Sequence, residues 1–536
     1  MAGKKKVPLI GVLGLKVNEG PGCITAEGRC IVRLSGSSER VDTDGIRISL
    51  PFAEDAAKIE FGSRYGRRLP GGMSLNSFRL TMDITDPGVY DIQNKIIPVY
   101  KGGEGGRFLY DALDLKKGRN RNSRIIIRDG KAMYFRQSGY NTLNFTVREA
   151  SRYDTEEGQK RLNDARRRAK KLRGNDIILM YEKNCSRYEE SASVLYEKLI
   201  DAGYDNVYFI TDTSIPAVRD LDEKYKRNLI EKDSDRHLEY FFACDKFISS
   251  ETIDHALQLR IASKAVQDKI CGKGLSYVFL QHGVMYMVSL NSRLRVGFRQ
   301  KSGYRLHRTV VSSEAEARHF IDMAGMSRGD LYITGLASFD TSYRNDDADR
   351  IIIMPTWRRW EANQAETDPE QTGYFRMIGR MYDAVPDELK EKVVILPHPL
   401  IADKFRGEHS FGDHFLMADS YDKVLRDCGL LITDYSSIAY DAFYRGANVV
   451  FDWTDLDECM EHYGEGTRLM LNDGNVFGKA CRNVEELREA VRESYGRAQS
   501  AEDLARYRKI VEFHDGKNSQ RIIEKLIEDG IIERKE

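Results

Sequence analysis

The feature that most restricts the fold of this chain is a twice-repeated alternation of short apolar runs with helix-like segments, beginning near residue 175. "NDIILMY" leads into helix-like "YEESASVLYEKLIDAG", then "NVYFITD" and helical "IPAVRDLDEKY", and later come "DKFISSE", "SYVFLQHG" and "HRTVVSSE". After Gly335 the pattern restarts: "RIIIMPTW", a helix near 372–391, "KVVILPHP", a helix near 418–427, "GLLITDYSS" with its own helix, and "ANVVFDW". Apolar runs this short, separated by helical periodicity, predict buried parallel strands flanked by helices. The fold class expected is therefore α/β: two consecutive Rossmann-like domains, residues 175–334 and 335–536, facing one another across a cleft. Ligands of such sheets gather beyond the carboxyl ends of the strands.

What precedes them differs. Residues 1–150 are rich in glycine and arginine, and "GRCIVRLSG", "GIRISL", "SFRLTMDI", "SRIIIRDG" and "NTLNFTVREA" alternate with a period of two, which predicts a β-rich accessory domain. Residues 151–174 read as a basic helical linker, in which Lys160 to Arg173 carry eight basic residues against one acid. Such a run is either a solvated helix or a patch for anionic lipid or polymer. Nucleic acid is not expected as a partner, because no recognition motif or interleaved aromatic residues accompany the charges.

Over all 536 residues 83 basic and 83 acidic side chains cancel, so composition names no partner. Eight scattered cysteines lack CxxC or Cys/His ligand spacing, which fits reduced thiols in a cytoplasm. The opening "MAGKKKVPLIGVLGLKVNEGPG" is broken by glycines and lysine and lacks a cleavage site, so no signal peptide is expected there. No window offers the roughly 18 apolar residues a spanning helix needs, which leaves peripheral contact as the expected mode at a membrane.

Four strand ends carry polar groups: Gln281-His282-Gly283, Pro355-Thr356-Trp357-Arg358, Pro397-His398-Pro399, and Asp434-Tyr435-Ser436-Ser437. Singly, a histidine after a strand is an ordinary hydrogen-bonding group, Arg358 a solvated helix start and paired serines an N-cap. Together, in two facing sheets, they converge on one cleft. Ile438, Ala439, Ala442 and Phe443 form an apolar stripe at helical spacing, so Ser436 and Ser437 stand at a helix N-terminus, where hydroxyls and free N–H groups cap the helix or bind phosphate. Asp441, one turn further, is either a ribose contact or a surface carboxylate.

"LQHG", "PTWR", "PHP" and above all "ITDYSSIAYDAFYRGANVVFDWTD", in this order with "VVSSEAEARHF" and "YITGLASFD" between them, resemble the CDP-glycerol glycerophosphotransferase family of teichoic-acid and capsule polymerases over residues 175 to 520. Members often read WHG followed by TPLK where Gln281-His282-Gly283 and Val284-Met285-Tyr286-Met287 stand here, and Leu336-Ala337 replaces a common proline-arginine pair. The resemblance implies a GT-B fold, with residues 175–334 on the acceptor side and 335–536 on the nucleotide-donor side. It also implies transfer of glycerol phosphate, or a related alditol phosphate, from a CDP-activated donor to a hydroxyl.

In the mechanism expected on that basis, an acceptor hydroxyl attacks the β-phosphorus and CMP leaves. His282 serves as general base, since imidazole titrates near neutral pH, and His398 helps to position the pyrophosphate and neutralise its charge, the two histidine roles being exchangeable. Arg358, Ser436 and Ser437 hold the donor phosphates; Asp434 orients a histidine or the turn; Asp441 and Thr356 contact the nucleotide; Gln281 and Gly283 face the acceptor. No carboxylate cluster suits a metal, and no cofactor beyond the CDP-alditol donor is expected. The acceptor implied is a phosphate-containing polymer or lipid-linked primer, met by a cytoplasmic enzyme resting on the inner membrane face. The rival readings are a GT-B nucleotide-sugar glycosyltransferase or epimerase, and a noncatalytic protein that binds anionic polymer or membrane.

Overall fold

The computed structural model describes residues 7–35, 37–39, 41–50, 57–62, 69–85, 96–101, 105–110, 124–137, 142–258, 261, 263–290, 304–361, 364–365, 368–398, 411–416, 418, 420–463 and 466–535. The chain divides into two compact units, residues 1–171 with 259–272, and residues 172–258 with 273–536. Among the described residues no helix is long and apolar enough to cross a membrane.

The first unit is β-rich, as the period-two segments predict. Strands β1 (Pro8–Gly20), β2 (Cys23–Leu34), β3 (Ile46–Ser49), β4 (Ala57–Gly62), β5 (Ser74–Asp83), β6 (Ile97–Tyr100), β7 (Arg107–Tyr110), β8 (Ile126–Arg128), β9 (Lys131–Gln137) and β10 (Leu143–Glu149) form three sheets. Their orders are β4-β5-β2-β1-β7, β10-β9-β8 and β3-β6. One face of each alternation, including Ile10, Val12, Ile24, Val32, Phe78, Leu80 and Phe135, builds a single core. The apolar run near the N-terminus is β1, paired antiparallel with β2.

The basic segment belongs to this same unit. Its helix, Glu156–Arg168, is capped by Thr155, whose hydroxyl accepts from the Gly158 N–H, and it starts with Glu156 and Glu157 and ends with Arg166, Arg167 and Arg168. That charge order suits the helix dipole. The helix is anchored by burying Gly158, Leu162 and Ala165, and Arg166 reaches Asp268 at 3.2 Å. It is a packed element with a charged outer face.

The second unit holds both doubly wound halves. Strands β11 (Ile178–Tyr181), β12 (Val207–Thr211), β13 (Leu229–Glu231), β14 (Lys246–Ser249), β15 (Ser276–Phe279), β16 (Leu306–Val311) and β17 (Leu331–Ile333) pair in the order β13-β12-β11-β14-β15-β16-β17. Strands β18 (Arg350–Ile353), β19 (Val393–Ile395), β20 (Cys428–Thr433), β21 (Asn448–Asp452) and β22 (Lys479–Cys481) follow in the order β19-β18-β20-β21-β22. Neighbours such as β11 and β14, or β18 and β20, are parallel, and β11 and β15 are buried on both faces, as parallel sheets require. The strand order reverses between β11 and β14 in the first sheet and between β18 and β20 in the second. Those two switch points are where loops part to leave a crevice.

One hydrophobic core runs through both halves, joining Met180, Val278 and Val284 to Ile352, Leu431 and Val449. The halves meet at Gly335, where φ is +80° and a Cβ would lie 2.2 Å from Asn518 Oδ1, so only glycine fits. Asn518 opens the last helix, Asn518–Glu528, which the sequence pattern assigns to the second half. It bonds to both halves: the N–H groups of Asn518 and Ser519 donate to Asp340, just past Gly335, at 2.8 and 2.7 Å, and Arg308 on β16 donates to Asp529 at 2.7 Å. Ile522 and Leu526 enter the shared core.

Candidate active site

At the switch point of the second sheet, two strand ends are fastened together. Thr433 donates its hydroxyl to the Met354 carbonyl at 2.6 Å, and Thr356 gives both its N–H and its hydroxyl to Asp434 Oδ1 at 2.8 Å each. Trp453 Nε1 donates to the Asp434 carbonyl at 3.3 Å. Asp434 is buried, and burial pushes its carboxyl up to about 6 although Thr356, the Tyr435 N–H and Arg358 oppose the shift. The carboxylate expected to orient a histidine or the turn is thus fixed on Thr356, and the Thr356 hydroxyl expected at the nucleotide is engaged in the same clamp.

Arg358 also differs from expectation. It is 6% exposed and ion-paired with Asp455, which in turn accepts from Tyr435 Oη at 2.6 Å. A guanidinium one residue beyond a tryptophan in the core is drawn inward with it. In this conformation Arg358 braces the end of β18 against the segment after β21.

The serines differ from one another. Ser436 Oγ accepts from the Ile438 N–H at 3.4 Å, whereas Ser437, at the N-cap of the helix Ile438–Tyr444, makes no side-chain cap bond and is exposed. Asp441 stands one turn on. Burial pushes its carboxyl up to about 7; Arg445 opposes this and the negative Glu190 reinforces it.

Glu190, at the N-cap of the helix Ser191–Asp201, belongs to the first half, so its electrostatic reach to Asp441 links the two halves. So does Gly283: a Cβ there would stand 3.7 Å from Asp441 Oδ2 and 3.8 Å from Ser437 Oγ. The turn after β15 therefore lies against the turn after β20. Within it Gln281 takes a left-handed φ of 65° and is fully buried, donating Nε2 to the Val310 carbonyl at 2.5 Å. Gln281, expected beside the acceptor, thus commits its side-chain amide to the Val310 carbonyl, while the His282 side chain is 49% exposed.

His282 Nδ1 lies 3.5 Å from Glu190 Oε2. The same oxygen accepts from Ser250 Oγ at 2.9 Å, and Oε1 pairs with Lys183 Nζ at 2.6 Å. Burial acts to raise the Glu190 carboxyl, but His282 and Lys183 outweigh it and hold it below the usual carboxylate range. Lys183 lies in the turn after β11, where Lys183, Asn184 and Cys185 all have left-handed φ, of 46°, 53° and 56°. Three such residues in succession are strained, and the turn is tied down by the Asn184 N–H donating to Glu251 at 2.5 Å.

Lys183, Glu190 and Ser250 were not singled out from the sequence. For Lys183 and Ser250 the signal is the polar strand ends "YEKN" and "SSE", which flank the switch between β11 and β14, whereas Glu190 lies outside both. His398 follows β19, the strand beside β18, and its N–H donates to Tyr374 Oη at 3.0 Å; residues 399–410 lie outside the described residues. Among the described residues no group of three or more His, Cys, Asp or Glu is placed to hold a metal ion.

A protein-family model described as CDP-Glycerol:Poly(glycerophosphate) glycerophosphotransferase matches residues 164–528. The minor teichoic acid biosynthesis protein GgaB of Bacillus subtilis (strain 168) is 22% identical over 192 residues, 33% of this chain and 21% of that protein. The chain thus aligns with about a fifth of that relative's length. Among solved structures, the wall teichoic acid polymerase TagF is similar at 17% identity and a TM-score of 0.49, over 69% of this chain and 94% of that one. A UDP-N-acetylglucosamine 2-epimerase described as putative, from Listeria monocytogenes, is similar at 13% identity and a TM-score of 0.36, over 66% of this chain and 96% of that one.

Proposed function

The chain belongs to the CDP-glycerol:poly(glycerophosphate) glycerophosphotransferase family, and from that premise we propose that it transfers glycerol phosphate, or a related alditol phosphate, from a CDP-activated donor to a hydroxyl of a phosphate-containing acceptor. The observation that carries this reading is the meeting of the His282-Gly283 turn of the first sheet with Ser437 and Asp441 of the second. A partly exposed imidazole and an uncapped, exposed serine hydroxyl face one crevice from opposite halves. This is the arrangement a displacement at phosphorus needs, with a base on one side and donors to phosphoryl oxygen on the other.

The acceptor O–H gives its proton to His282 as the oxygen attacks the β-phosphorus. A new P–O ester bond forms, the bond from the β-phosphorus to the bridging oxygen breaks, and CMP leaves carrying that oxygen and the electron pair. Ser436 and Ser437 donate to the pyrophosphate. Thr356 and Asp434, locked together, set the shelf on which the donor lies, and Arg358 with Asp455 braces the shelf. Asp441 holds the ribose, and His398 completes the donor side or exchanges roles with His282.

A long polyanionic acceptor suits the outer face of the basic helix, where Arg166, Arg167, Arg168, Lys170 and Lys171 are exposed. Each cation near an anionic surface contributes about 1 kcal/mol, so the same face supports peripheral contact with an acidic membrane. The test is a donor panel: purified protein with CDP-glycerol, CDP-ribitol and UDP-sugars, each with and without a glycerol-phosphate polymer primer. Release of CMP from a CDP-alditol supports the reading. UDP release from a UDP-sugar points to glycosyl transfer, and salt-sensitive polymer binding without turnover points to a binding module.

A further inference from the structure

We propose that Glu190 is a positioning residue for His282, taking the hydrogen bond from Nδ1–H and so fixing the tautomer whose Nε2 accepts the hydroxyl proton; this rests on the reading of His282 as the base. Glu190 is not used as a helix cap. It occupies the N-cap position of the helix Ser191–Asp201, yet its side chain makes no cap bond. Glu182 does that work instead, accepting from the N–H groups of Glu189 at 2.5 Å, Glu190 at 3.0 Å and Ser193 at 3.1 Å. The Glu190 carboxylate is left to point into the crevice.

There it is held from two elements at once. Lys183, in the turn after β11, pairs with Oε1 at 2.6 Å, and Ser250, after β14, donates to Oε2 at 2.9 Å. The carboxylate cannot swing away, and Oε2 stays 3.5 Å from His282 Nδ1. Such contacts are commonly long before substrate binds and shorten when the ring gains its proton. Lys183 and His282 hold this carboxylate charged against opposing neighbours. Glu190 is repelled by Glu182 and by Asp441 from the other half, and its side chain is only 13% exposed. Buried like charges are unfavourable. An anion at the Nδ1 edge of the ring has a use in the reaction, because it orients the imidazole and stabilises the imidazolium formed as the acceptor is deprotonated.

The groups facing this pair are Lys183 and Glu182 from the β11 end, Ser250 and Glu251 from the β14 end, and Asp441 from the second half. Asp434, the carboxylate first expected to orient a histidine, is held by Thr356.

The test uses the full-length protein labelled with 15N-histidine, its His282 resonances identified by their loss in His282→Ala. The wild-type ring is expected as the Nδ1–H tautomer, and Glu190→Ala is expected to move it toward Nε2–H. In turnover, Glu190→Ala is expected to lower kcat about 10- to 100-fold with KM for CDP-glycerol changed less than about 3-fold, and to cause no further loss in the His282→Ala background. Glu190→Gln, which keeps the volume and loses the charge, carries the kinetic test if the alanine variant does not fold. An unchanged tautomer in Glu190→Ala, or an equal loss of kcat with and without His282, overturns the proposal. If the tautomer responds but no donor is turned over, the pairing stands and the donor assignment fails. If CMP is released but neither tautomer nor kinetic cycle responds, the donor assignment stands and the role of Glu190 fails.

Discussion

Arg358 and Asp455 form a buried ion pair that ties the end of β18 to the segment after β21, their side chains 7% and 15% exposed. A guanidinium in that position is a structural strut as long as the pair persists. Removing one partner of a buried pair leaves the other charged and unsolvated, a loss of about 3–5 kcal/mol. Arg358→Ala is therefore expected to lower the denaturant midpoint steeply, measured by guanidinium unfolding. A variant as stable as wild type, with only the KM for donor raised, would put Arg358 on the donor phosphates.

Asp441 predicts a pH-dependent trade between stability and activity. Burial pushes its folded-state carboxyl up to about 7, above the ordinary aspartate value of 3.8, so the folded protein binds more protons there than the unfolded chain between those values. The penalty is absent below about 4, accumulates as pH rises, and is complete above about 7. Asp441→Asn is thus expected to stabilise the fold by about 1–2 kcal/mol at pH 8 and by little at pH 4.5, while weakening the nucleotide contact. Urea unfolding at the two pH values measures it; an equal effect at both contradicts the assignment.

Ser437 separates capping from binding. Replacing a working N-cap serine by alanine typically costs about 1 kcal/mol. Ser437 makes no cap bond, so Ser437→Ala is expected to change stability by less than about 0.5 kcal/mol. Loss of one hydrogen bond to a charged phosphate is worth about 1.5–3 kcal/mol, which predicts donor KM raised roughly 10- to 100-fold. A destabilised variant with normal KM would make Ser437 an ordinary cap.

Much of this architecture is legible in the sequence, and the reasons for the exceptions are physical. "NDIILMY" and "GLLITDYSS" mark buried strands because a parallel sheet leaves them no solvent face, and the polar residues that follow are then strand ends. That logic finds His282, Thr356, Asp434 and Ser437, but it cannot say which way each side chain turns. Gln281 and Arg358 turn inward, one through a left-handed backbone and one toward Asp455, a partner 97 residues along the chain. Glu190 escapes notice because it looks like one more acid at a helix start, and only the packing reveals that Glu182 caps that helix. The last helix bonds both to Asp340, just past Gly335, and to Arg308 on β16, contacts that chain order alone does not reveal. In the β-rich unit, β1 is masked by its glycines, which weaken the alternation that marks β5 and β10.

Transfer chemistry centred on His282 is the central claim. The measurement is CMP release from CDP-glycerol in the presence of a glycerol-phosphate primer, compared between wild type and His282→Ala at equal concentrations of folded protein. Wild type is expected to release CMP in step with primer elongation, and His282→Ala to be slower by about 10²- to 10⁴-fold with its unfolding midpoint unchanged. Wild-type rates in His282→Ala, or no CMP from any CDP-alditol with wild type, would contradict it.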